Sequence, residues 1–395
     1  MNTNKKTVAV IFGSRAPEHD VSIITAISSI IEPLKLLGHK IVPIYIDKTG
    51  KWWAGDEFAV IETYQDEKKL ARAMKKKNAV ELNINDGLTI IKGTKLGVQF
   101  TKIDVVFPAT HGAFGEDGSL MGLLRMANVP FVGCDMEASA VAMNKILSKI
   151  VAIQNGISTP KFLHFSRAEF NGDADAVVKK INANLKYPLF VKPPRLGSSI
   201  GITRVNKESE LKNAMEVAAY YDTEILVEEG VENLIEVTLP IIGNDELTTA
   251  LLERPLNRGE FFDFETKYMN GGKKGKNAKS GGGEGGKLGS QGYSELPAKL
   301  PESLYNSAVN LATTIYRAVG LTGIARIDML IDEKTGVVYF NEINPLPGSL
   351  YAHNWTRAGM SNVDLVKKLI ELAEEKFVND NKITTTFKTN FLKQF

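Results

Sequence analysis

One apolar run, Thr7–Gly13, narrows the folds open to this chain more than any other feature. It is apolar almost throughout and ends in glycine, which is typical of a strand buried on both faces of a parallel sheet. A helical pattern at 21–37, a C-capping Gly38 and a second strand at 41–47 follow it. Strand, helix and strand at this spacing predict a βαβ unit. We therefore predict an α/β N-terminal domain on a parallel sheet, with further strands at 103–109 and 129–134.

The pattern changes in the second half, where strands are predicted to pair with their neighbours along the chain. A helix at 139–154 is followed by strands at 187–193 and 201–205, and the Gly-Ser-Ser turn between the strands predicts an antiparallel hairpin. Two more strands fall within 224–243 and another pair within 325–343. These elements predict an α+β C-terminal part, which ends in a helix at 363–377.

Charge and cysteine content exclude several classes of protein. Lys and Arg number 48 against 46 Asp and Glu, so the net charge of +2 does not indicate a nucleic-acid or anionic-membrane partner. The single cysteine, Cys134, excludes a disulfide framework and a multi-thiolate metal site. No apolar stretch approaches the roughly 18 residues of a membrane span. We expect a cytoplasmic protein of two or three domains that binds neither nucleic acid nor membrane.

Residues 269–292 differ from the rest of the chain, because they are rich in glycine and lysine and have almost no apolar side chains. On composition alone this segment is typical of a flexible linker between domains.

Four polar side chains on two neighbouring predicted strands indicate an ion-binding face. Arg326 and Asp328 alternate on one strand and Glu342 and Asn344 on the next, so each pair points to one face. If the strands pair, carboxylate and amide oxygens meet there, and these are the ligands that Mg²⁺ prefers beside phosphate. The alternative is a solvated polar face with a surface ion pair. The apolar residues between the polar ones favour the ion site, because the opposite face is then core.

A lysine and a small-residue turn in VKPPRLGSSIGI have the features of an anion-binding site. Lys192 ends a predicted buried strand, and the backbone amides of 197–199 can approach a phosphate closely. Turns of this composition are also common in plain hairpins. Glu228, Glu229 and Glu236 offer acceptors for an amino group and ribose hydroxyls, although isolated glutamates are usually just solvated.

Two polar loops follow predicted parallel strands. One is GSRAPEHDVS, which carries Glu18 and His19, and the other is HGAFGEDGS, which begins at His111. Ligands of open α/β sheets gather at the carboxyl ends of the strands, so both loops are expected at one site.

Seven motifs occur in the order of one known family, and through them the chain resembles the D-alanine–D-alanine ligase family of the ATP-grasp superfamily. They are EHDVS, HGAFGEDGSLMGLL, VPFVGCDMEASAVAMNKILSK, VKPPRLGSSIGI, DFETKY, GIARIDMLI and FNEINPLPGS. The resemblance implies a three-domain ATP-grasp ligase, with an N-terminal parallel-sheet domain and an α+β C-terminal part. The domains are expected at 1–137, 138–230 and 231–395. Residues 261–297 are expected to form a lid loop, which gives the glycine- and lysine-rich segment a second interpretation.

The resemblance also implies which residues bind ATP and metal. The ATP-binding residues would be Lys145, Lys192, Ser199, Glu228, Glu229, Val231 and Glu236. Lys145 and Lys192 resemble the two lysines that hold phosphates, and Glu236 resembles the ribose ligand. Glu228 resembles the adenine ligand, with Glu229 as a competitor because of an inserted residue nearby. The metal ligands would be Asp328, Glu342 and Asn344, which hold two Mg²⁺ ions, with Mn²⁺ as the other candidate ion.

For the amino acids, Glu18, Ser198 and Tyr268 resemble the trio that positions the first substrate and closes the lid. His111 and Lys267 are further substrate-binding candidates. Arg326 and the backbone amide of Gly348 are implied to stabilise the oxyanion that forms during the reaction.

The reaction implied is the joining of two D-alanines through an acyl phosphate for peptidoglycan synthesis, by a homodimer. Departures from the family pattern concern the second amino acid. The family usually has Thr after the metal-binding Asn and Ser about nine residues beyond it, whereas this chain has Pro345 and His353. His353 and Asn354 are then the candidates to bind the second carboxylate, and Asn144 replaces the usual Asp before Lys145. Two alternatives stay open: a related ligase that joins other amino acids, for example in secondary metabolism, and an inactive ATP-binding protein.

Overall fold

The computed structural model describes residues 5–94, 97–256 and 294–395. The first seven strands are β1 (Thr7–Gly13), β2 (Lys40–Ile46), β3 (Trp52–Ala54), β4 (Val80–Asn83), β5 (Thr89–Thr94), β6 (Gly97–Lys102) and β7 (Val105–Pro108). The N-terminal sheet has the order β3-β2-β1-β7. Strand β1 is parallel to β2 and β7, and β3 is antiparallel to β2. The predicted βαβ unit and parallel sheet are therefore confirmed.

The helix between β1 and β2 is continuous but changes its winding. It comprises α1 (His19–Ile24), a π-helical segment (Thr25–Ile31) and α2 (Glu32–Leu36). Its apolar face packs on β1 through Ile23, Ile27, Ile30 and Leu34. Isolated π-helical turns are rare and frequently occur at functional sites.

The sequence pattern does not predict how the elements within 48–102 are arranged. Besides β3, the described residues of this segment form helix α3 (Glu67–Ala73) and an antiparallel sheet of β4, β5 and β6. Leu88 and Ile90 of this region pack against Ile44 of the parallel sheet.

The predicted strand at 129–134 is wrong. Only Phe131 makes a single bridge, to Val106. Pro130 has no N–H to donate, and Gly133 has a φ of 110°, so the chain bends away from the sheet. The preceding helix is α4 (Ser119–Met126).

The helix predicted at 139–154 is in fact two helices, α5 (Met136–Met143) and α6 (Lys145–Gln154), separated at Asn144. Asn144 has an extended backbone, and its side chain accepts hydrogen bonds from the amides of Ile146 and Leu147. Such N-capping by asparagine starts a new helix. The apolar periodicity continues across the break, which is why the sequence pattern does not reveal it.

The central sheet is antiparallel and has the order β10-β9-β11-β8. Its strands are β8 (Phe162–Ser166), β9 (Leu189–Lys192), β10 (Thr203–Val205) and β11 (Glu224–Glu229). Helices α7 (Arg167–Gly172), α8 (Ala174–Asn184) and α9 (Glu208–Tyr221) cover one face. The predicted hairpin around the Gly-Ser-Ser turn is confirmed.

The C-terminal sheet is also antiparallel, in the order β13-β12-β16-β17. Its strands are β12 (Leu234–Gly243), β13 (Leu247–Thr249), β16 (Gly323–Asp332) and β17 (Val337–Asn344), and β14 (Arg254–Pro255) pairs separately with β15 (Ser294–Glu295). Helix α10 (Glu302–Val319) packs on the sheet together with α5 and α6. Two helices follow, α11 (Ala352–Arg357) and α12 (Asn362–Asp380), and α12 packs into the core of the N-terminal sheet.

Among the described residues, no helix is both long and apolar enough to cross a membrane.

Candidate active site

The antiparallel pair β16 and β17 brings four polar residues onto one face, as the sequence predicts. Arg326 lies opposite Asn344, and Asp328 lies opposite Glu342. Arg326 donates from Nε to Asp328 Oδ1 at 2.7 Å and from Nη2 to Oδ2 at 2.6 Å. Asn344 Nδ2 donates to the same Oδ2 at 3.0 Å. The Arg326 and Asp328 side chains are only 21% and 18% exposed, so this face is not a solvated surface.

The electrostatics of this face are dominated by the Arg326–Asp328 pair. Burial by itself lowers the pKa of the Arg326 guanidinium, but the Asp328 carboxylate outweighs burial and raises that pKa above its usual range. The Tyr351 ring lies 5.1 Å from the guanidinium carbon, close enough for a cation–π contact. Arg326 is therefore a fixed positive charge beside the carboxylates.

Lys145 reaches the same face from the first position of α6. Its ammonium donates to the carbonyl of Leu196 at 2.8 Å and lies 2.9 Å from Glu342 Oε2. The Asn144 cap fixes where α6 begins, and the Lys145 amide donates to the carbonyl of Pro194 at 3.1 Å. The break in the helix thus places Lys145 between the loop that carries the Gly-Ser-Ser turn and the carboxylate face.

Lys192 and Glu228 meet on the central sheet. Lys192 ends β9, Glu228 lies near the end of β11, and the ammonium donates to Glu228 Oε1. Glu229 has the opposite orientation, since its Oε1 accepts from the Lys186 amide at 2.9 Å. The two glutamates that the sequence leaves as competitors are therefore separated, and Glu228 is the one in contact with Lys192.

A second lysine contacts Glu228, and the sequence analysis missed it. Lys149 is fully buried, and its ammonium lies 3.0 Å from Glu228 Oε2. Burial raises the pKa of the Glu228 carboxyl, but Lys149 and Lys192 outweigh burial and lower it to about 2. Burial lowers the pKa of Lys149 and the nearby Lys192 charge lowers it further, and together they outweigh the Glu228 carboxylate, which raises it. The signal in the sequence is the spacing of four residues from Lys145, which puts both lysines on one side of a helix.

Glu18 connects the two loops expected at the carboxyl ends of the strands. It is 6% exposed. A Cβ on Gly112 would lie 2.6 Å from Glu18 Oε2, and one on Gly197 would lie 3.0 Å from Oε1. Oε2 has no hydrogen-bond partner among the described residues. Glu18 therefore lies between the His111 loop and the turn that carries Ser198 and Ser199, whose φ values of 57° and 60° are left-handed.

His111 is buried beside Thr25 of the π-helical segment, with Nε2 3.1 Å from Thr25 Oγ1. Burial lowers the pKa of His111 to about 4, so the ring is neutral at pH 7. The Thr25 hydroxyl also accepts from the Ser349 amide at 2.9 Å. This bond ties the segment after Gly348 to the N-terminal domain.

Glu116 is a second residue that the sequence analysis missed. Its carboxylate accepts from the Gly112 amide at 2.7 Å and from the Leu346 amide at 3.2 Å. Burial, with a further contribution from the Glu18 charge, raises the pKa of Glu116 to about 8. The motif HGAFGEDGS contains Glu116, but a glutamate in a loop gives no sign of burial.

His353 and Asn354 surround one buried carboxylate, Glu253. His353 Nε2 lies 2.9 Å from Glu253 Oε2, and Asn354 Nδ2 donates to the same oxygen at 3.2 Å. Asn354 is completely buried and also bonds the backbone of Leu251. The His353 ring packs against Tyr351 at 4.5 Å, so this cluster adjoins Arg326. Glu253 is a third residue missed from sequence.

Of the remaining candidates, Glu236 lies on β12 two positions from Thr238, which is opposite Asp328, so it shares the face of the carboxylates. Val231 follows β11 and is partly exposed. Lys267, Tyr268 and most of the expected lid loop 261–297 lie outside the described residues, which resume at Ser294.

Comparisons with known proteins agree on one family. The family model for the D-ala D-ala ligase N-terminus matches residues 7–134, and that for the C-terminus matches residues 151–280 and 286–371. A D-alanine–D-alanine ligase of Acetivibrio thermocellus is 36% identical over 390 residues, covering 96% of this chain and 98% of that protein. The chain belongs to the D-alanine–D-alanine ligase family.

Solved structures of the D-alanine–D-alanine ligase family share its fold. The VanG D-Ala:D-Ser ligase from Enterococcus faecalis is 33% identical with a TM-score of 0.75, covering 94% of this chain and all of that one. The D-alanine-D-alanine ligase from Coxiella burnetii is 24% identical with a TM-score of 0.76, covering 96% and 97%. The predicted ATP-grasp architecture and the assignment as an ATP-dependent ligase are confirmed.

The donor set of this family member suits a magnesium ion. Asp328 and Glu342 supply carboxylates and Asn344 an amide oxygen, which are hard ligands of the type that Mg²⁺ takes. No three His, Cys, Asp or Glu side chains cluster in the part of the chain that the structure describes. The amide and oxygens of a bound phosphate would therefore have to complete the coordination.

Proposed function

We propose that this chain joins two D-alanines with hydrolysis of ATP, through an acyl phosphate, and supplies D-alanyl-D-alanine for peptidoglycan synthesis. The observation that carries the proposal is the meeting of Arg326, Asp328, Glu342 and Asn344 on one face that Lys145 also reaches. Family members of this name are 33–36% identical over most of the chain. A cytoplasmic homodimer is part of the same proposal.

In this proposal the nucleotide lies between the central and C-terminal sheets. Lys145 and Lys192 bind phosphate oxygens, and the amides of the turn at Ser198 and Ser199 add further donors. Glu228 accepts from the exocyclic amine of adenine, and Glu236 binds ribose hydroxyls. Glu228 is supported as the adenine ligand because the Glu229 carboxylate points elsewhere and accepts a hydrogen bond from the Lys186 amide. The backbone of Val231 is proposed to contact the adenine base.

Asp328, Glu342 and Asn344 would hold Mg²⁺. When bound, such ions neutralise charge on the transferred phosphoryl group. Mn²⁺ is the other candidate, since its ligand preferences are similar. The cations now beside the two carboxylates, Arg326 and Lys145, would then be available to the substrate.

The chain's own groups position the first amino acid. Glu18 offers a buried carboxylate for its ammonium group, next to Ser198. His111 is neutral at pH 7 and would act through Thr25, which it holds beside this part of the site without adding charge. Lys267 and Tyr268 are proposed to complete this part of the site.

Stabilisation of the acyl-transfer step falls to Arg326 and the Gly348 amide. The second amine, in its deprotonated form, attacks the acyl carbon, and negative charge grows on the carbonyl oxygen. Inorganic phosphate then leaves as the C–O bond to it breaks and the peptide bond remains. A fixed donor at that position is typically worth about 3–4 kcal/mol. Once the metal takes Asp328, the Tyr351 ring, 5.1 Å from the guanidinium carbon, would remain as the packing partner that holds Arg326 in place.

A second candidate function is ligation to a different second amino acid. The solved D-Ala:D-Ser ligase relative at 33% identity, together with the Glu253–His353 pair, favours it. In this family the corresponding position usually carries a hydroxyl, whereas here His353 is the donor proposed for the second carboxylate. Asn354 would support it indirectly, because its amide is already bonded to Leu251 and Glu253.

The decisive experiment measures ADP release with MgATP and a panel of D- and L-amino acids, alone and in pairs. The proposal expects the highest kcat/KM with D-alanine alone, and a dipeptide product that mass spectrometry identifies. Strong release only with D-alanine plus D-serine would favour the second candidate. No release with any pair, in a protein that still binds ATP, would point to the inactive ATP-binding alternative.

A further inference from the structure

Two buried lysines share one carboxylate at the proposed nucleotide site. Lys149, on α6, is 0% exposed, and Lys192, at the end of β9, has a 9% exposed side chain. Each contacts a different oxygen of Glu228, which is 2% exposed. The group has two positive charges and one negative charge, and it carries a net charge of +1.

Only one of these lysines can reach a ligand. Lys149 is enclosed on all sides, so its ammonium can act on a nucleotide only through Glu228. Lys192 immediately precedes the loop at 193–201 that carries the Gly-Ser-Ser turn, and its side chain keeps some exposure, unlike that of Lys149. If Lys192 were the sole cation at Glu228, it could not leave without a large cost, because a buried carboxylate that loses its only partner is strongly destabilised.

We propose that Lys149 is a positioning residue that supplies the permanent counter-charge of Glu228, and so frees Lys192 to bind nucleotide phosphate. This inference rests on the proposed function, because it assumes a nucleotide at this site. With Lys149 in place, Glu228 keeps one cation when Lys192 turns away, and remains an anionic acceptor. Without Lys149, Lys192 is the only cation in contact with Glu228 and stays bound to it.

The charges that face Glu228 come from more than one element. Lys149 is on α6 and Lys192 on β9, and Glu342 of β17 acts on Lys149 from farther away. Lys145 is paired with Glu342 and not with Glu228. The balance at Glu228 is therefore set by the two lysines.

The net charge of Lys149, Lys192 and Glu228 together can be changed by substitution, and this tests the inference. Lys149→Met lowers the net charge of the group from +1 to 0 and leaves Lys192 committed to Glu228. Adding Glu228→Gln to that variant restores +1 and releases Lys192. Inorganic triphosphate is the probe, because it has the phosphates of ATP but no adenine that would need Glu228. Affinities are measured by calorimetry on the full chain with MgCl₂, and by competition against ATP.

We expect Lys149→Met to weaken triphosphate binding about tenfold or more, the size of one charged contact of about 1.5 kcal/mol. The double variant is expected to recover affinity to within about threefold of the unchanged protein. Lys179→Met, which removes an exposed lysine on α8, is the matched control and should leave the affinity unchanged. Lys149→Gln is measured in parallel in case the methionine variant does not fold, which the thermal midpoint reports.

Two results would overturn the inference. One is unchanged triphosphate affinity in both folded Lys149 variants. The other is a double variant as weak as Lys149→Met or weaker, which means that Lys149 acts on packing alone. Failure of the unchanged protein to bind triphosphate or ATP would instead overturn the proposed nucleotide site. The two failures are therefore distinguishable.

Discussion

The Lys145 ammonium lies 2.9 Å from the Glu342 carboxylate, which joins the start of α6 to the end of β17. The same pattern occurs at Arg326 with Asp328 and at Lys192 with Glu228. Every proposed phosphate or oxyanion donor among these three is paired with an acidic residue of the site. A nucleotide and its metal would exchange these internal partners for external ones of the same charge, which keeps the buried charges compensated throughout.

This pairing predicts that replacing the two proposed metal ligands, Asp328 and Glu342, affects the stability of the protein to different extents. Glu342→Gln and Asp328→Asn should each reduce ADP release at least about 100-fold, since each removes a proposed metal ligand. Asp328→Asn should also reduce the free energy of unfolding by about 1–3 kcal/mol, because Arg326 loses its two charged hydrogen bonds. Glu342→Gln should cost less, because Lys145 keeps the Leu196 carbonyl.

Coupled-enzyme assays of ADP and urea unfolding monitored by circular dichroism check both parts. Glu371→Gln on the exposed side of α12 is a suitable control, since that residue forms only a long surface ion pair at 4.0 Å. Substantial ADP release from either site variant would refute its assignment as a metal ligand.

The Glu253–His353 pair predicts where selectivity for the second amino acid lies. His353→Ala should raise the KM for the second amino acid about tenfold and change kcat less. The reason is that the substrate carboxylate loses a hydrogen-bond donor, whereas the reacting atoms lose no contact. Initial rates over a range of D-alanine concentrations, with product identified by mass spectrometry, separate the two subsites. His164→Ala, an exposed histidine of the central sheet, is the matched control.

The contrary outcome for His353 is equally clear. A variant with unchanged KM for every second amino acid would remove His353 from the substrate site and leave it as a partner of Glu253 alone. A change in kcat without a change in KM would place it near the reacting atoms instead.

The polar face of the C-terminal sheet could be predicted from sequence because alternation along two adjacent strands fixes which side chains point together. Arg326 and Asp328 needed only the period of a strand, and the short turn between β16 and β17 fixed the pairing. The first strand was predicted to the residue, because its apolar run is bounded by polar residues and glycine.

Contacts between elements that are distant along the chain could not be predicted from the sequence. Lys149 on helix α6 meets Glu228 of the central sheet, and Glu116 meets Leu346 across 230 positions, so the local sequence pattern shows neither contact. The break at Asn144 depends on side-chain capping inside a continuous apolar periodicity. The strand expected at 129–134 failed for a similar reason, since apolar content does not reveal the left-handed Gly133.

The raised pKa of Glu116 predicts how stability depends on pH. Burial and the Glu18 charge raise the pKa of this carboxyl from its ordinary 4.5 to about 8, so the folded protein holds a proton that the unfolded chain releases. Stability from this group is fully present below pH 4.5 and is lost as pH rises toward 8, by roughly 3–5 kcal/mol.

Glu116→Gln cannot ionise, so its free energy of unfolding should fall less between pH 5 and pH 8.5. Its value at pH 5 is expected to be lower than that of the unchanged protein, because one backbone amide loses an acceptor. Urea unfolding at both pH values measures this difference, with Glu137→Gln on the exposed face of α5 as the control. Equal slopes for Glu116→Gln and the unchanged protein would mean that Glu116 is ionised in the folded state, with the amides of Gly112 and Leu346 and the nearby Arg326 stabilising its charge.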